Sequence, residues 1–597
     1  MNSVAERLCA LREQMARRGI AMYLIPDSDF HGSEYIGDYF KAREYVTGFT
    51  GSAGTAVITP AEAYLWTDGR YFIQAKRQLA NSGITLQRMG EEGVPDVREF
   101  VRGRLKKGMK LGFDGRVLSA KAGEAYEKAA RETGAALLAD EDLLDAVWKD
   151  RPGMQKQPFF ILEEKYCGRS TALKLSDVRR EMEKSKADAH ILTSLTDIAW
   201  LLNLRGCDIP HVPVVMSYLI LDMRTCVWFV QEGVVTEAQR SYLNENRIET
   251  RPYGDVYDYI SSMRGKTILY DAEKVNYQIR KSIPDDADAI EGVNPTKHFK
   301  AIKNQTEIEN IRKAHIKDGV AVTKFIYWLK TNVKTQTITE LSAAEYLLER
   351  RKEQEHFLDE SFDAICAYGP NGAMMHYEAS PESNAKLEPE GLFLTDSGGH
   401  YLEGTTDITR TIALGPLTDA MRRHFTAALR ANLNLASAKF LYGCRGIQLD
   451  ILAREPLWSM GIDYQCGTGH GVGYLLNVHE GPNAFRWKQR KDGELSAVIK
   501  EGMITTDEPG VYIENEYGIR IENELLCKKA EKNEYGQFLQ FETITYAPID
   551  LDAVNVSELT QKERLFLNAY HRKVYETLSP FLTEEENLWL KENTRAV

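Results

Sequence analysis

Between residues 370 and 525 the chain sets aspartate, glutamate and histidine on five short segments that read as strands or tight turns, and this concentration constrains its fold more than any other feature. The segment LFLTDSGGHYLEGTTDITRTIAL alternates apolar and polar residues on both sides of Gly398-Gly399, the pattern of a hairpin turning at the glycines. Asp396 and Asp407 are therefore expected on neighbouring strands. In MITTDEPGVYI, Glu508 follows a strand and meets Pro509-Gly510. In YGIRIENELLC, Ile519, Ile521 and Leu525 are expected to point one way and Arg520, Glu522 and Glu524 the other. A strand that aims carboxylates and an arginine to one side lines something polar. Between these segments lies CGTGHGVGYLLNVHEGP, whose glycines let the backbone bend closely around His470, with His479 following nine residues later.

Four carboxylates and a histidine form an oxygen-rich donor set suited to a pair of divalent metals, since a carboxylate can bridge two ions where a neutral imidazole cannot. Without metal the same acids would repel one another and become partly protonated. Spacing alone leaves the alternative open, because two aspartates with ten residues between them recur by chance and each acid could be a solvated strand or loop carboxylate.

The rest of the chain supplies scaffold. At 597 residues it is several domains long, and 43% hydrophobic with 27% charged residues is the balance of a soluble globular protein. The net charge of −12 has no long block of one sign, so neither nucleic acid nor an anionic membrane is expected as a partner. Charged Glu6, Arg7 and Arg12 interrupt any signal-like stretch, no run of 18 apolar residues occurs, and eight dispersed cysteines form no CxxC pair; a cytoplasmic location is expected. Val4, Leu8, Leu11 and Met15 predict a helix ending at Gly19, followed by the strand IAMYLI. The order returns weakly where Val178 and Met182 precede AHILTSL, suggesting two α/β units of similar plan, separated near residue 160 by Pro152-Gly153 and Pro158. A second break at Asn294-Pro295 precedes a long amphipathic helix, with Ile308, Ile311, Ala314 and His315 on one side and Glu307, Arg312 and Lys313 on another.

Taken in order, DSGGHYLEGTTDITR, GTGHGVGYLLNVHEGP, TTDEPGVY and GIRIENELL closely resemble the pita-bread metallopeptidases, and within them the three-domain Xaa-Pro aminopeptidases, or aminopeptidase P. FTGSAGTAVI, LWTDGRYF, DIAWLLNLRG and AIKNQTEIENIRKAHIKDGVAV are similar to earlier parts of that family, and the tail from YAPID through LTQKERLFLNAYHRKV to its C-terminal extension. The resemblance implies an α/β (α+β) architecture: two creatinase-like N-terminal domains, 1–160 and 161–300, then a pita-bread catalytic domain at 301–597. It implies that Asp396, Asp407, His470, Glu508 and Glu522 bind two divalent ions, with Asp407 and Glu522 bridging. Manganese is the expected metal, with zinc and cobalt as alternatives.

The implied activity is removal of the N-terminal residue from peptides with proline second, by attack of a metal-bridging hydroxide on the Xaa-Pro bond. Glu508 would accept the proton, and His479 and His376 would hydrogen-bond the substrate. Cys466 stands where many relatives carry a histidine four residues before the ligand histidine, and would alter the pocket. Arg520 would meet substrate, order the metal shell, or simply pair with Glu522 or Glu524. A homodimer formed through the catalytic domains is also implied. The remaining alternatives are an Xaa-Pro dipeptidase (prolidase), a metal-free creatinase-like hydrolase and a non-catalytic pita-bread binding module.

Overall fold

The computed structural model describes residues 3–488 and 496–597. Its backbone divides into two compact units, one of residues 1–163 with 169–296 and the other of 164–168 with 297–597.

The first unit contains two six-stranded sheets of the same plan. In each, counting strands in chain order, the order across the sheet is fourth, third, second, first, fifth, sixth. The first strands are Met22–Pro26 and Ala189–Leu192, each pairing antiparallel with the second strand and parallel with the fifth. A helix precedes each of them, Val4–Arg18 and Thr171–Lys184, and the matched pairs Leu11/Met15 and Val178/Met182 are all buried. The weak sequence repeat is thus a real repetition of helix, strand and sheet. Gly19 closes the first helix at φ 66°, a left-handed position that a side chain would disfavour.

The second unit begins, after a short helix, with helix Gln305–Asn332, capped by Asn304, whose side chain accepts from the Glu307 amide. Ile311, Ala314 and His315 are buried as expected, but so is Glu307, placed on the polar side by periodicity. Its carboxylate turns back to accept from the Asn304 amide at 2.9 Å, completing the capping box. Helix Glu340–Lys352 and the sheet of Ile365–Tyr368, Leu392–Ser397 and Ile408–Ala413 complete a first half. Helices Asp419–Ala436 and Ile451–Trp458, followed by a six-stranded antiparallel sheet that includes Gly469–Gly471, Ile504–Asp507 and Asn523–Asn533, make the second. Helix Gln561–Leu578 then packs Leu567, Val574 and Leu578 into the core of the second half.

Candidate metal centre and substrate pocket

Asp396 sits on strand Leu392–Ser397, directly opposite Thr409 of the antiparallel neighbour, and Asp407 immediately precedes that neighbour. The strand pair forms as predicted, but its turn does not fall at Gly398-Gly399. The chain continues through a second short pair, Gly399–Tyr401 with Gly404–Thr405, and reverses at Leu402-Glu403. Gly398 instead marks a close crossing: a Cβ there would lie 1.9 Å from the Thr406 carbonyl oxygen.

His470 lies at the centre of strand Gly469–Gly471, and Gly469 lets that strand press against its neighbour, since a Cβ would come 1.8 Å from the Thr506 carbonyl. The His470 amide donates to Thr506 Oγ1 at 3.1 Å, and Nδ1 lies 2.9 Å from the Gly471 carbonyl. Donation from Nδ1 fixes the tautomer that leaves the Nε2 lone pair free to ligate. Nε2 is 3.4 Å from Asp407 Oδ2 and 3.4 Å from Glu508 Oε1. Ligand atoms of Asp407, His470 and Glu522 all lie within 4.8 Å of one another.

The backbone around the carboxylates is pinned from behind. Asn432, on helix Asp419–Ala436, donates to the Asp507 carbonyl at 2.8 Å and the Ile521 carbonyl at 3.4 Å, each just before one of the glutamates. Thr409 Oγ1 donates to Glu522 Oε2 at 2.7 Å, tying the strand after Asp407 to the opposite half. Arg410 grips the Glu522 carbonyl at 2.6 Å and also reaches Asn523, Ala547, Pro548 and Tyr570.

Electrostatics argue for a cation here. Burial raises the Asp407 carboxyl well above its ordinary range, and the nearby charges of Asp396, Glu508 and Glu524 raise it further. Glu522 is raised likewise by burial, then by Asp407, Glu508 and Asp396. Asp396 keeps Oδ1 buried without a hydrogen-bond partner. Crowded, desolvated carboxylates, an orphaned carboxylate oxygen and an imidazole lone pair are what divalent cations would satisfy.

His479 stands edge-on to His470, ring centroids 4.2 Å apart at 84°. His376 follows Met375, whose carbonyl accepts from Arg520 Nη2 at 3.3 Å. Cys466 is half-buried, and its carbonyl accepts from Arg454 at 2.7 Å. Arg520 pairs with neither Glu522 nor Glu524. Its Nη2 sits 2.5 Å from Asp396 Oδ2, and Nη1 donates to the Tyr512 hydroxyl at 2.7 Å. Register explains the change: strand Tyr517–Arg520 ends at Arg520, opposite Gly510, so simple alternation does not continue through Glu522 and Glu524. Glu524 instead lies fully buried, 3.1 Å from His315 Nε2. Sequence reasoning missed Asn432, Thr409, Arg410 and Tyr512. Only Thr409, Arg410 and Tyr512 carried a signal, being within or beside the quoted motifs.

Models described as the Creatinase/Prolidase N-terminal domain match residues 7–145 and 150–307. The model for Metallopeptidase family M24 matches 309–529, and that for its C-terminal region 537–597. Aminopeptidase P2 of Arabidopsis thaliana is 38% identical, covering 99% of this chain and 88% of its own length. A probable Xaa-Pro aminopeptidase P of Neurospora crassa is 36% identical, over 99% of this chain and 89% of its own. The solved structure of an X-prolyl aminopeptidase from Caenorhabditis elegans, described as a cytosolic enzyme with a di-nuclear active site, matches at a TM-score of 0.95 and 33% identity, with both chains covered completely. Two creatinase-type domains before an M24 domain, with this donor set, define a metallopeptidase. The chain belongs to the Xaa-Pro aminopeptidase (aminopeptidase P) family of enzymes.

Proposed function

We propose that this enzyme removes the N-terminal residue from peptides whose second residue is proline, with two divalent cations, manganese first among them, held by Asp396, Asp407, His470, Glu508 and Glu522. The observation that carries the reading is the convergence of Asp407, His470 and Glu522 donor atoms within 4.8 Å, in a chain matched to Xaa-Pro aminopeptidases over nearly all its length. When bound, the cations supply Lewis acidity that lowers the pKa of water and polarises the scissile carbonyl.

The protein's own residues do the rest. Glu508 takes the proton of the attacking water; its Oε1 accepts from Thr506 Oγ1 at 3.2 Å, which fixes that carboxylate for the task. His479 and His376 donate hydrogen bonds to the substrate and to the tetrahedral intermediate. The leaving nitrogen of proline is a tertiary amide without N–H, so a proton must reach it as the bond breaks. Arg520 holds Asp396, Tyr512 and the backbone before His376 in one arrangement, and Cys466 lines the pocket.

The enzyme is proposed to work in the cytoplasm as a homodimer. All eight cysteines are free, and no helix among the described residues is long and apolar enough to cross a membrane. On the catalytic unit Trp458, Met460 and Trp487 are exposed, the two indoles meeting edge to face at 5.5 Å, an apolar surface suited to a second copy.

The test is release of the first residue from Arg-Pro-Pro, beside Ala-Ala-Ala and the dipeptide Ala-Pro, with metal-stripped protein reconstituted with manganese, zinc or cobalt. Metal-dependent cleavage of Arg-Pro-Pro alone is the expected outcome. Preference for Ala-Pro would make the enzyme a prolidase, and no cleavage with metal bound would leave a binding module. A solution mass of one chain at micromolar concentration would reject the dimer.

A further inference from the structure

Glu340 opens helix Glu340–Lys352, yet its side chain is fully buried. Every donor its carboxylate meets comes from the segment 368–385. Oε1 accepts from the Tyr368 amide at 2.7 Å and from Asn371 Nδ2 at 3.0 Å. Oε2 accepts from the Tyr377 hydroxyl at 2.8 Å, the Ala385 amide at 2.8 Å and Asn371 Nδ2 at 3.2 Å. These donors are all neutral. Burying a carboxylate among neutral groups is costly, and the start of a 13-residue helix offsets only part of that cost. A simple loop fastening would not need a charge.

What the carboxylate fastens is the segment that carries His376. Tyr368 ends the strand Ile365–Tyr368, which pairs with the Asp396 strand, Ile365 standing opposite Asp396 itself. After Tyr368 the chain runs through a short 3-10 turn and irregular backbone to Ala385. Both ends of that stretch donate to Glu340, and so does Tyr377, the residue after His376. The residue before it, Met375, is held by Arg520. His376 therefore hangs between two anchored neighbours, one tied to the metal side of the site and the other to Glu340.

We propose that Glu340 is a positioning residue of the reaction: its single carboxylate spans the His376 segment and holds that imidazole at the substrate. The proposal rests on the reading of His376 as a substrate-side group. Glu340→Gln keeps the shape but turns an amide NH₂ toward donors that need an acceptor, so the segment must shift. A displacement of about 1 Å at a reacting group costs on the order of a hundredfold.

The test is a double-mutant cycle of Glu340→Gln with His376→Ala on the manganese-loaded enzyme, scored by kcat and KM for Arg-Pro-Pro and by metal content. Glu340→Gln alone should lower kcat about tenfold to a hundredfold, with both metals retained and KM little changed. In the His376→Ala background the same substitution should cost less than about threefold further, because the group it positions is gone. Equal losses in both backgrounds would overturn the proposal, as would full kcat in folded Glu340→Gln protein. A His376→Ala enzyme as active as the parent would instead remove the reading of His376, and the proposal with it. Should Glu340→Gln fail to fold, Tyr377→Phe, which deletes one hydroxyl, carries the same cycle with a smaller expected loss of about fivefold.

Discussion

Arg520 places Nε and Nη2 on one oxygen of Asp396, Oδ2, at 3.2 and 2.5 Å, and leaves the other oxygen buried with no hydrogen-bond partner. The guanidinium thus decides which lone pairs of Asp396 remain for a cation. Arg520→Lys keeps the charge but loses the planar fork, so it should weaken metal binding or kcat/KM about tenfold to a hundredfold, nearly as much as Arg520→Gln. Calorimetric titration of the stripped protein with manganese reads this directly. Unchanged affinity and turnover in Arg520→Lys would show that charge alone is needed.

Asp407→Asn should have opposite effects on the empty and the loaded protein. Burial and three neighbouring carboxylates oppose ionisation of Asp407, so removing its charge relieves repulsion that only cations otherwise relieve. Stripped Asp407→Asn protein is expected to be at least as stable as stripped parent, by about 1 kcal/mol, while manganese no longer raises its Tm and activity is lost. Thermal melts with chelator and with manganese separate the two. Retained metal with full turnover would refute the bridging assignment.

A third expectation concerns Glu480, the residue after His479. Its carboxylate takes Lys303 Nζ at 2.6 Å and Lys300 Nζ at 3.0 Å, all three groups being buried. Glu480→Gln strips both ammonium groups of their shared counter-charge and should cost about 3–5 kcal/mol of stability. A shift of the urea midpoint equivalent to less than 1 kcal/mol would mean that water reaches the lysines.

Acid sensitivity should have an identifiable source. Burial, with Arg410 and Arg595 nearby, pushes the His571 imidazole down from its usual 6.5 to about 3. Its Nε2 accepts from the Ile549 amide at 3.1 Å, which requires the neutral ring. The unfolded chain therefore binds the extra proton first, and stability present above about pH 6.5 is lost as pH falls toward 3, by about 2 kcal/mol at pH 5. His571→Gln preserves an acceptor without the titration, so urea midpoints at pH 7.5 and 5.0 should differ less in the variant than in the parent. An equal difference would place the acid sensitivity elsewhere.

Much of this architecture was legible because strands and amphipathic helices write their faces into local periodicity. Leu11 and Met15, or Val178 and Met182, announce a buried helix face from spacing alone. Alternation places Asp396 on paired backbone, as found, while Asp407 falls just before its strand, and Gly398 reads as a turn where it is a close crossing. A glycine needed for close approach and one needed for a turn look alike in a string of letters. Contacts between distant parts of the chain leave no local trace. Nothing around Glu340 foretells Tyr377, 37 residues away, and nothing around Arg520 foretells Asp396, 124 residues away. Asn432 sits in an ordinary helix, and its task is visible only once two strand ends arrive beneath it.

Arg410 joins the backbone of Glu522 to later parts of the second unit. The acceptors that surround its guanidinium include Ala547, Pro548 and the Tyr570 hydroxyl, and the same side chain holds the backbone of Glu522. The backbone of Glu522 therefore answers to helix Gln561–Leu578, which carries Tyr570: a substitution that loosens that helix reaches a proposed metal ligand through one guanidinium, without touching the ligand itself.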